Sequence, residues 1–394
     1  MLEPLSYHRA LRDHLVENAP RLWGQLAADA FQDAHVEVVE LELLKSTLRL
    51  SRESYPTLHA SAQRAAEALD LDLPLELYQS TDERELNATL FFAPGVLRVV
   101  FSGPITERLE PSELDALLGH ELAHYVFWTT ERGDFFTAQR VLEALSLGSA
   151  ASANSLRLFQ LATEIYADRA GLLVTGELEH TLNTLIKVST GLVETDPEAL
   201  LVQADQVLAL DSSGSQRATH PELYMRAKAA ALFHGKHPDA DALVSAMVEG
   251  RLELDALDLL GRPRVERLTR ELLDLVLQPM WCRTDTVMAH ARSMFDDYEG
   301  VSAAPDVEAL RSSIHGYGPT VQDYFGYLLT DLVAVDPELE QVGLAHALVL
   351  SDQLGLRERV EKFVNKELKI TKKALKGVWA DRERLLESAG AHGE

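Results

Sequence analysis

The stretch LLGHELAHYV, residues 117–126, places two histidines four residues apart, with a glutamate directly after the first. Ser112, followed three residues later by an aspartate, predicts that a helix begins just upstream of this apolar run. On a helix His120 and His124 share one face and can reach one metal ion. Glu121 lies about 100° around the helix from His120. There it can take a proton from water without binding the metal. The pattern therefore suits a zinc hydrolase, although it also arises by chance on amphipathic helices.

A second acidic pair supplies a candidate third ligand. The segment LATEIYADRAG, residues 161–171, predicts another helix, which ends at Gly171. Glu164 and Asp168 share one face of it. One carboxylate can bind the metal while the other accepts a hydrogen bond from the far nitrogen of a ligating histidine. A solvated acidic face is the alternative, but both acids lie among apolar residues. Two histidines, a carboxylate and a water form the open, catalytic type of zinc site.

The third segment is HPELYMR, residues 220–226. The His220-Pro221 pair stands at the start of a predicted helix, with Pro221 in its first turn. Arg226 lies further along that helix. A histidine and an arginine near zinc could stabilise the oxyanion of a tetrahedral intermediate. Taken alone, the His-Pro pair predicts only a turn before a helix.

Together, HELAH, EIYAD and HPELYMR, in this order, resemble the zinc metallopeptidase family of bacterial HtpX and the eukaryotic type I CAAX prenyl protease. The strands predicted around Pro94-Gly95, in NATLFFAPGVLRVVF at residues 87–101, form a hairpin. This hairpin is similar to the edge strand of that family. The resemblance covers residues 55–236. Many members of the family carry transmembrane helices, whereas this sequence shows none.

The resemblance implies a role for each residue of the three segments. Three residues would hold one Zn²⁺ ion per chain: His120, His124 and Glu164. Glu121 would be the general base, and Asp168 would orient a ligand. His220 and Arg226 would stabilise the transition state. Asn87 and the strand after it would pair with the backbone of the substrate, as the edge of a sheet can.

The rest of the sequence predicts a mostly α fold with a small β-sheet (α+β). Apolar residues at helical spacing predict a helix over about the first 33 residues, within an N-terminal helical segment of residues 1–50. A gluzincin-like zinc metallopeptidase domain would occupy residues 51–239, with a helix at 56–69 and strands in 73–80, 87–92 and 96–101. Residues 35–44 suit either a strand or a helix. Residues 240–394 would form an all-helical C-terminal region, which has no counterpart in the family core.

Composition restricts the partners and the compartment. The 394 residues include 37 Lys plus Arg against 62 Asp plus Glu, a net charge of -25, which argues against nucleic acid and anionic membranes as partners. The single cysteine, Cys282, cannot form an internal disulfide or a cysteine-based zinc site. No signal peptide is recognisable, and no run approaches the roughly 18 apolar residues of a membrane span. These features predict a soluble, cytoplasmic protein.

The sequence thus predicts a zinc-dependent endopeptidase that acts on proteins or peptides. The alternative is a latent or idle metallopeptidase fold that serves as a scaffold and binds a protein partner through its C-terminal helices. One basic stretch, residues 366–376, stands out in the acidic chain. It could pair with the acidic body of the molecule or dock an acidic partner.

Overall fold

Helices dominate the chain, and one small sheet lies in its N-terminal half, as predicted. The computed structural model describes residues 2–28, 41, 43–81, 86–93, 95–210, 213–215, 217, 219–301 and 305–391. By its contacts the chain divides into an N-terminal unit, Met1–Gly250, and a C-terminal unit, Arg251–Glu394. The domain bounds 1–50, 51–239 and 240–394 stay predictions. Among the described helices, none combines the length and the apolar composition that crossing a bilayer requires.

The N-terminal unit carries helices α1 to α11. One helix was predicted over the first 33 residues, but residues up to 28 form two helices. Pro20 has no N–H to donate to a carbonyl group of α1, and it begins α2 instead. In chain order the helices are α1 Ser6–Asn18, α2 Pro20–Ala28, α3 Pro56–Ala68, α4 Ile105–Arg108, α5 Pro111–Thr129, α6 Asp134–Ser146, α7 Ala150–Thr175, α8 Leu178–Thr190, α9 Pro197–Leu210, α10 Leu223–His234 and α11 Ala240–Glu249. A 3₁₀ turn, Thr130–Gly133, links α5 to α6.

The sheet of the described residues has four strands: β1 Thr47–Arg49, β2 Leu75–Ser80, β3 Asn87–Ala93 and β4 Val96–Ser102. Their order is β1-β2-β4-β3, with β2 parallel to β4 and the other pairs antiparallel. The predicted hairpin is therefore confirmed as β3–β4, and β3 lies at an edge of the sheet. Leu97, Val99 and Phe101 of β4 are fully buried in one core with α3 and α5. The prediction for residues 35–44 falls largely outside the described residues.

Helix α5 begins one residue earlier than predicted, and Ser112 does not cap it. Glu110 is the N-cap, and its N–H donates to the carboxylate of Glu113 at 2.9 Å. That carboxylate also accepts a hydrogen bond from Nζ of Lys187 at 2.7 Å, and both side chains are buried. Ser112 Oγ instead lies 3.2 Å from Nδ1 of His180. The buried ion pair fixes the start of α5 against α8, which the local sequence pattern did not indicate.

Helices α5 and α7 approach each other closely at two glycines. A Cβ added to Gly171 would lie 2.6 Å from the carbonyl oxygen of Ala116, and one added to Gly119 would lie 2.8 Å from Cγ2 of Val174. No other side chain fits without moving a helix. The prediction that Gly171 ends its helix is therefore wrong: α7 continues to Thr175, and Gly176, at φ +72°, ends it. Gly171 instead permits close packing of the two helices that carry the zinc motifs.

A buried histidine joins α1 to α7. The ring of His8 is fully buried, with Nε2 at 3.2 Å from the carbonyl oxygen of Phe159 and its centroid 4.6 Å from that of Phe127. Nδ1 has no hydrogen-bond partner among the residues that the structure describes. Burial disfavours the charged ring and lowers the pKa of His8 to about 3. His8 is therefore neutral in the folded chain at every ordinary pH.

We expect this histidine to make the N-terminal unit less stable in acid. An unfolded chain protonates the ring below a pKa of about 6.5, whereas the folded one does not, so stability falls as the pH drops from 6.5 toward 3. The loss is about 1.4 kcal/mol per pH unit in that window. A His8→Gln chain should lack this slope, as measured by hydrogen exchange of α7 amides at pH 6.5 and 5. The same change at partly exposed His14, on the same helix, is the control. Equal slopes in wild type and His8→Gln would contradict the assignment.

The C-terminal unit is helical, as predicted. Its helices are α12 Gly261–Val276, α13 Asp285–Met294, α14 Val307–His315, α15 Pro319–Ala334, α16 Glu340–Gln353, α17 Arg357–Glu367 and α18 Lys372–Gly390. The unit has a core of its own, to which nearly every one of these helices contributes apolar residues. Its fully buried members include Leu272, Val276, Phe325, Leu329, Leu348 and Val360.

Candidate metal centre

The close approach of α5 and α7 brings together two histidines and a glutamate. His120 and His124 of α5 and Glu164 of α7 each offer one ligand atom, and these atoms all lie within 4.8 Å of one another. Nε2 of His120 is 3.5 Å from Oε2 of Glu164, and Nε2 of His124 is 3.7 Å from Oε1. These separations are longer than ordinary hydrogen bonds. All three side chains are largely buried, and they surround a space that one ion can occupy.

The donor set and its charge fit a zinc ion. Oε2 of Glu164 is buried and has no hydrogen-bond partner within the described residues, which is unusual for a buried carboxylate. Asp168, a second buried carboxylate, lies one turn further along α7. Arg226 faces both acids, with Nη2 at 2.6 Å from Oδ1 of Asp168 and 4.0 Å from Oε2 of Glu164. Two imidazoles and one carboxylate are the protein ligands of an open zinc site.

Asp168 holds the ring of His120 in the orientation that ligation requires. Nδ1 of His120 lies 2.9 Å from Oδ1 of Asp168. Because a carboxylate only accepts, Nδ1 carries the proton and Nε2 is left facing Glu164. Asp168 also accepts two hydrogen bonds from Arg226, at 2.8 Å from Nε and 2.6 Å from Nη2. The contacts of Arg226 with Asp168 and of Asp168 with His120 thus join three helices, α10, α7 and α5, in the buried interior.

The pKa values show where the site favours positive charge. Burial opposes protonation of His120, but the hydrogen bond to Asp168 and the negative charges of Asp168 and Glu164 outweigh it and raise the pKa of His120 to about 10. Burial also opposes ionisation of Glu164, yet the neighbouring histidines and Arg226 hold its pKa well below the ordinary range. For His124, burial prevails and lowers the pKa to about 4. His124 is therefore neutral, and the carboxylates attract a cation to the side of His120 that faces Glu164.

Glu121 lies between the two histidines and the edge of the sheet. Its Oε2 accepts a hydrogen bond from the N–H of Leu90, in β3, at 3.0 Å. The side chain is 6% exposed, and burial raises the pKa of Glu121 to about 7. A carboxyl group with a pKa near the ambient pH both takes and returns a proton readily. The carboxyl group of Glu121 thus lies between the cluster and β3, with its pKa raised toward neutrality.

The free edge of β3 faces α5. Leu90 pairs with Val99 of β4 on one side, while its N–H points the other way, to Glu121. In an antiparallel strand, alternate residues present their N–H and C=O groups to the same side. The N–H of Ala88 accordingly also turns from β4 and donates to Oδ1 of Asn87 at 2.9 Å. Asn87 lies at the start of this edge, as predicted from the resemblance. Leu90 was not predicted, because a backbone contact leaves no signal in the identity of a side chain.

His220 and Arg226 occupy different positions. Nε2 of His220 lies 3.3 Å from Oε2 of Glu164, and half of the side chain is exposed, so this histidine is at the rim of the cluster. Arg226 is buried and binds Asp168. Pro221 was predicted to begin the following helix, but it does not. Helix α10 starts at Leu223 after the N-cap Glu222, and the His-Pro pair lies in the preceding loop.

We expect Arg226→Lys to weaken metal binding. Lysine can keep the charge but cannot donate two parallel hydrogen bonds to Asp168, so the ring of His120 would lose its fixed orientation. Changes of this kind cost about 10–100-fold in metal affinity. Competition with a chelator measures the loss. Arg157→Lys, on α7 at a residue that donates to the backbone carbonyl of Ser215, should leave affinity unchanged. Normal zinc affinity with reduced turnover would instead place the Arg226 guanidinium on the transition state.

Comparison with known proteins gives one match. Residues 53–232 match the model of Peptidase family M48. No curated protein and no solved structure matches the chain. The matched segment contains both zinc-motif helices, the edge strand and the His-Pro loop, which together carry every side chain of the cluster. Residues 53–232 of the chain are thus similar to the metallopeptidases of family M48.

Proposed function

We propose that this chain is a zinc-dependent endopeptidase that hydrolyses peptide bonds of protein or peptide substrates. The observation that carries the proposal is the convergence of His120, His124 and Glu164, with Glu121 between this cluster and a free strand edge. M48 peptidases are zinc-dependent, and the matched residues contain the whole cluster. A solvated acidic helix face, the simpler alternative, does not apply, since Glu164 and Asp168 are both buried.

The three ligands and Asp168 prepare the site for the metal. His120, His124 and Glu164 would hold one Zn²⁺, and Asp168 keeps Nε2 of His120 free to bind. When bound, zinc supplies a Lewis acid that lowers the pKa of water and polarises a carbonyl group. Because the carboxylates and the histidines come from two closely packed helices, the ligands stand ready without a change of fold.

Glu121 moves the proton. It accepts one from the attacking water and then returns it to the nitrogen of the leaving amine. Its raised pKa, to about 7, suits both steps at neutral pH. In the free enzyme the carboxylate is held by the N–H of Leu90, so its position is fixed by the sheet before a substrate arrives.

The substrate would bind along β3. An extended peptide can add to a strand edge through backbone hydrogen bonds, and the outward N–H of Leu90 on this edge contacts Glu121. An interior peptide bond of a long chain can be placed there as easily as a terminal one, which favours an endopeptidase. Asn87 would be the first residue of the strand that pairs with the substrate.

His220 would donate to the oxyanion that forms as water attacks. Its half-exposed ring lies within 3.3 Å of a ligand oxygen, and a fourth permanent protein ligand would close the site to substrate. Arg226 would act through Asp168 and not on the substrate, because both of its close hydrogen bonds are to that carboxylate.

Metal analysis combined with a digestion assay tests the proposal. The purified chain should contain one zinc and cleave a reduced, unfolded protein, and a chelator should abolish cleavage until zinc is restored. Glu164→Ala should lose both zinc and activity. Glu177→Ala and Glu179→Ala, just beyond α7, should keep both. Full zinc in the Glu164→Ala chain would refute the ligand assignment. A zinc-loaded chain that cleaves no substrate would favour the scaffold.

A further inference from the structure

The C-terminal unit contains an open groove that the proposed chemistry does not use. It has a volume of about 440 Å³ and lies between the end of α15, the start of α16 and the loop that joins α17 to α18. Its wall is mainly apolar and is formed by Ala334, Pro337, Leu344, Leu368 and Ile370. A large apolar side chain from another molecule would find room and apolar surface there.

The loop on one side of the groove is held in a fixed, strained conformation. Lys369 has φ +59°, a left-handed backbone that is unfavourable for a side chain with a Cβ. Two hydrogen bonds stabilise it: Nδ2 of Asn365 donates to the carbonyl oxygen of Ile370 at 2.9 Å, and Nζ of Lys369 donates to that of Lys366 at 2.7 Å. The loop leaves Leu368 39% exposed at the groove. The groove is therefore preformed, which reduces the entropic cost of binding.

Lysines surround this loop. Residues 362–376 contain six lysines and one glutamate, in a chain whose net charge is -25. Lys366 pairs with Glu367 at 3.2 Å. The other lysines form no ion pair among the described residues, and all six are exposed. They are Lys362, Lys366, Lys369, Lys372, Lys373 and Lys376. The result is a segment of exposed lysines that includes the loop bordering the apolar groove.

The acidic residue of the groove limits what can enter. Asp336 lines the wall, is 5% exposed, and accepts the N–H of Glu338 at 3.0 Å. A second carboxylate pushed into the groove would meet this buried charge. The group that enters should therefore be apolar, and acidic groups should lie outside, on the side of the lysines.

We propose that this groove docks an acidic segment of a partner protein, with one large apolar side chain in the groove and flanking carboxylates on the lysines at residues 362–376. The opposite charges supply the complementarity, and the apolar groove selects a protein segment over a nucleic acid, which has no such side chain to insert. This docking does not depend on peptide hydrolysis at the zinc site.

Binding of a labelled peptide to the full chain tests the proposal. The probe is fluorescein-labelled Glu-Asp-Glu-Leu-Asp-Glu-Asp, followed by anisotropy, with mass spectrometry to confirm that it stays intact. We expect saturable binding that weakens as salt screens the charges. Replacing the leucine of the peptide by alanine should weaken it by about tenfold or more. A peptide with lysines in place of the acids should not bind at these lysines, so Lys372→Glu with Lys373→Glu should not weaken whatever binding it shows elsewhere on the acidic chain.

Variants of the chain separate a specific groove from general charge attraction. Lys372→Glu with Lys373→Glu should abolish binding, and exposed Leu368→Ser should weaken it without affecting the fold. Arg21→Glu with Arg52→Glu makes the same change in net charge at exposed residues of the N-terminal unit and should leave binding intact. Three outcomes would overturn the proposal: no saturable binding, equal loss in both double variants, or displacement of the peptide by an oligothymidylate of equal charge.

Discussion

A Glu121→Gln chain is expected to keep its fold and its zinc and to lose peptide cleavage by about 10²-fold or more. Glutamine has nearly the same shape as glutamate, and its oxygen can still accept the N–H of Leu90, as Glu121 does at 3.0 Å. The amide cannot take a proton from water, so only the proton transfer is removed. Digestion of an unfolded protein, with zinc content measured on the same sample, separates the two effects.

A matched change supplies the control. Glu177→Gln alters an exposed glutamate just after α7 and should leave both cleavage and zinc unchanged. If Glu121→Gln turned over at a near-normal rate, another group would have to accept the proton. If it lost its zinc, Glu121 would be a ligand, and the division of roles between Glu121 and Glu164 would be wrong.

The spacing within each motif was enough to predict much of the site. Residues four apart on a helix must share a face, so the pairs His120–His124 and Glu164–Asp168 followed from the sequence. Spacing did not tell which carboxylate faces the metal; the resemblance to HtpX and the prenyl protease did. In the structure, Glu164 joins the ligand cluster and Asp168 contacts His120. Which of the two carboxylates reaches the histidines depends on the position of α7 along α5, and packing sets that position.

Features that depend on distant parts of the chain were missed. Ser112 is a usual type of N-cap residue. However, the carboxylate of Glu113 is buried in an ion pair with Lys187 of α8 and also accepts the N–H of Glu110, which favours Glu110 as the N-cap. Pro221 suits the first turn of a helix, yet α10 starts two residues later. The contact of Leu90 with Glu121 involves a backbone N–H and could not be found from residue types. At the start of α5, a tertiary contact decided between local options that the sequence left nearly equal.

Gly171 shows the same limit most clearly, since a glycine near the end of an apolar segment usually marks a helix end. Here it lies inside α7, one turn before the helix ends at Thr175, where a Cβ would clash with the backbone of α5. A Cβ would be 2.6 Å from the carbonyl oxygen of Ala116, and backbone atoms of α5 cannot swing aside as a side chain can. Helices α5 and α7 would have to separate, and with them the histidines from Glu164 and Asp168. Zinc tolerates errors of only about 0.2 Å in ligand distances.

Gly171→Ala should therefore reduce zinc affinity, on the order of 10²-fold, and destabilise the N-terminal unit by about 1–3 kcal/mol through overpacking. Gly24→Ala is the matched control, because it makes the same change within α2, where nothing lies within 4 Å of the added Cβ. There the substitution should stabilise the helix by about 0.4–1 kcal/mol and leave zinc affinity alone. Chelator competition and thermal unfolding measure both effects. The cobalt-substituted chain adds a spectroscopic check, since its visible bands report ligand geometry and should change only in Gly171→Ala. If Gly171→Ala lost stability but kept its zinc affinity and its cobalt spectrum, this glycine would serve helix packing alone, and the spacing of α5 and α7 would not be what positions the ligands.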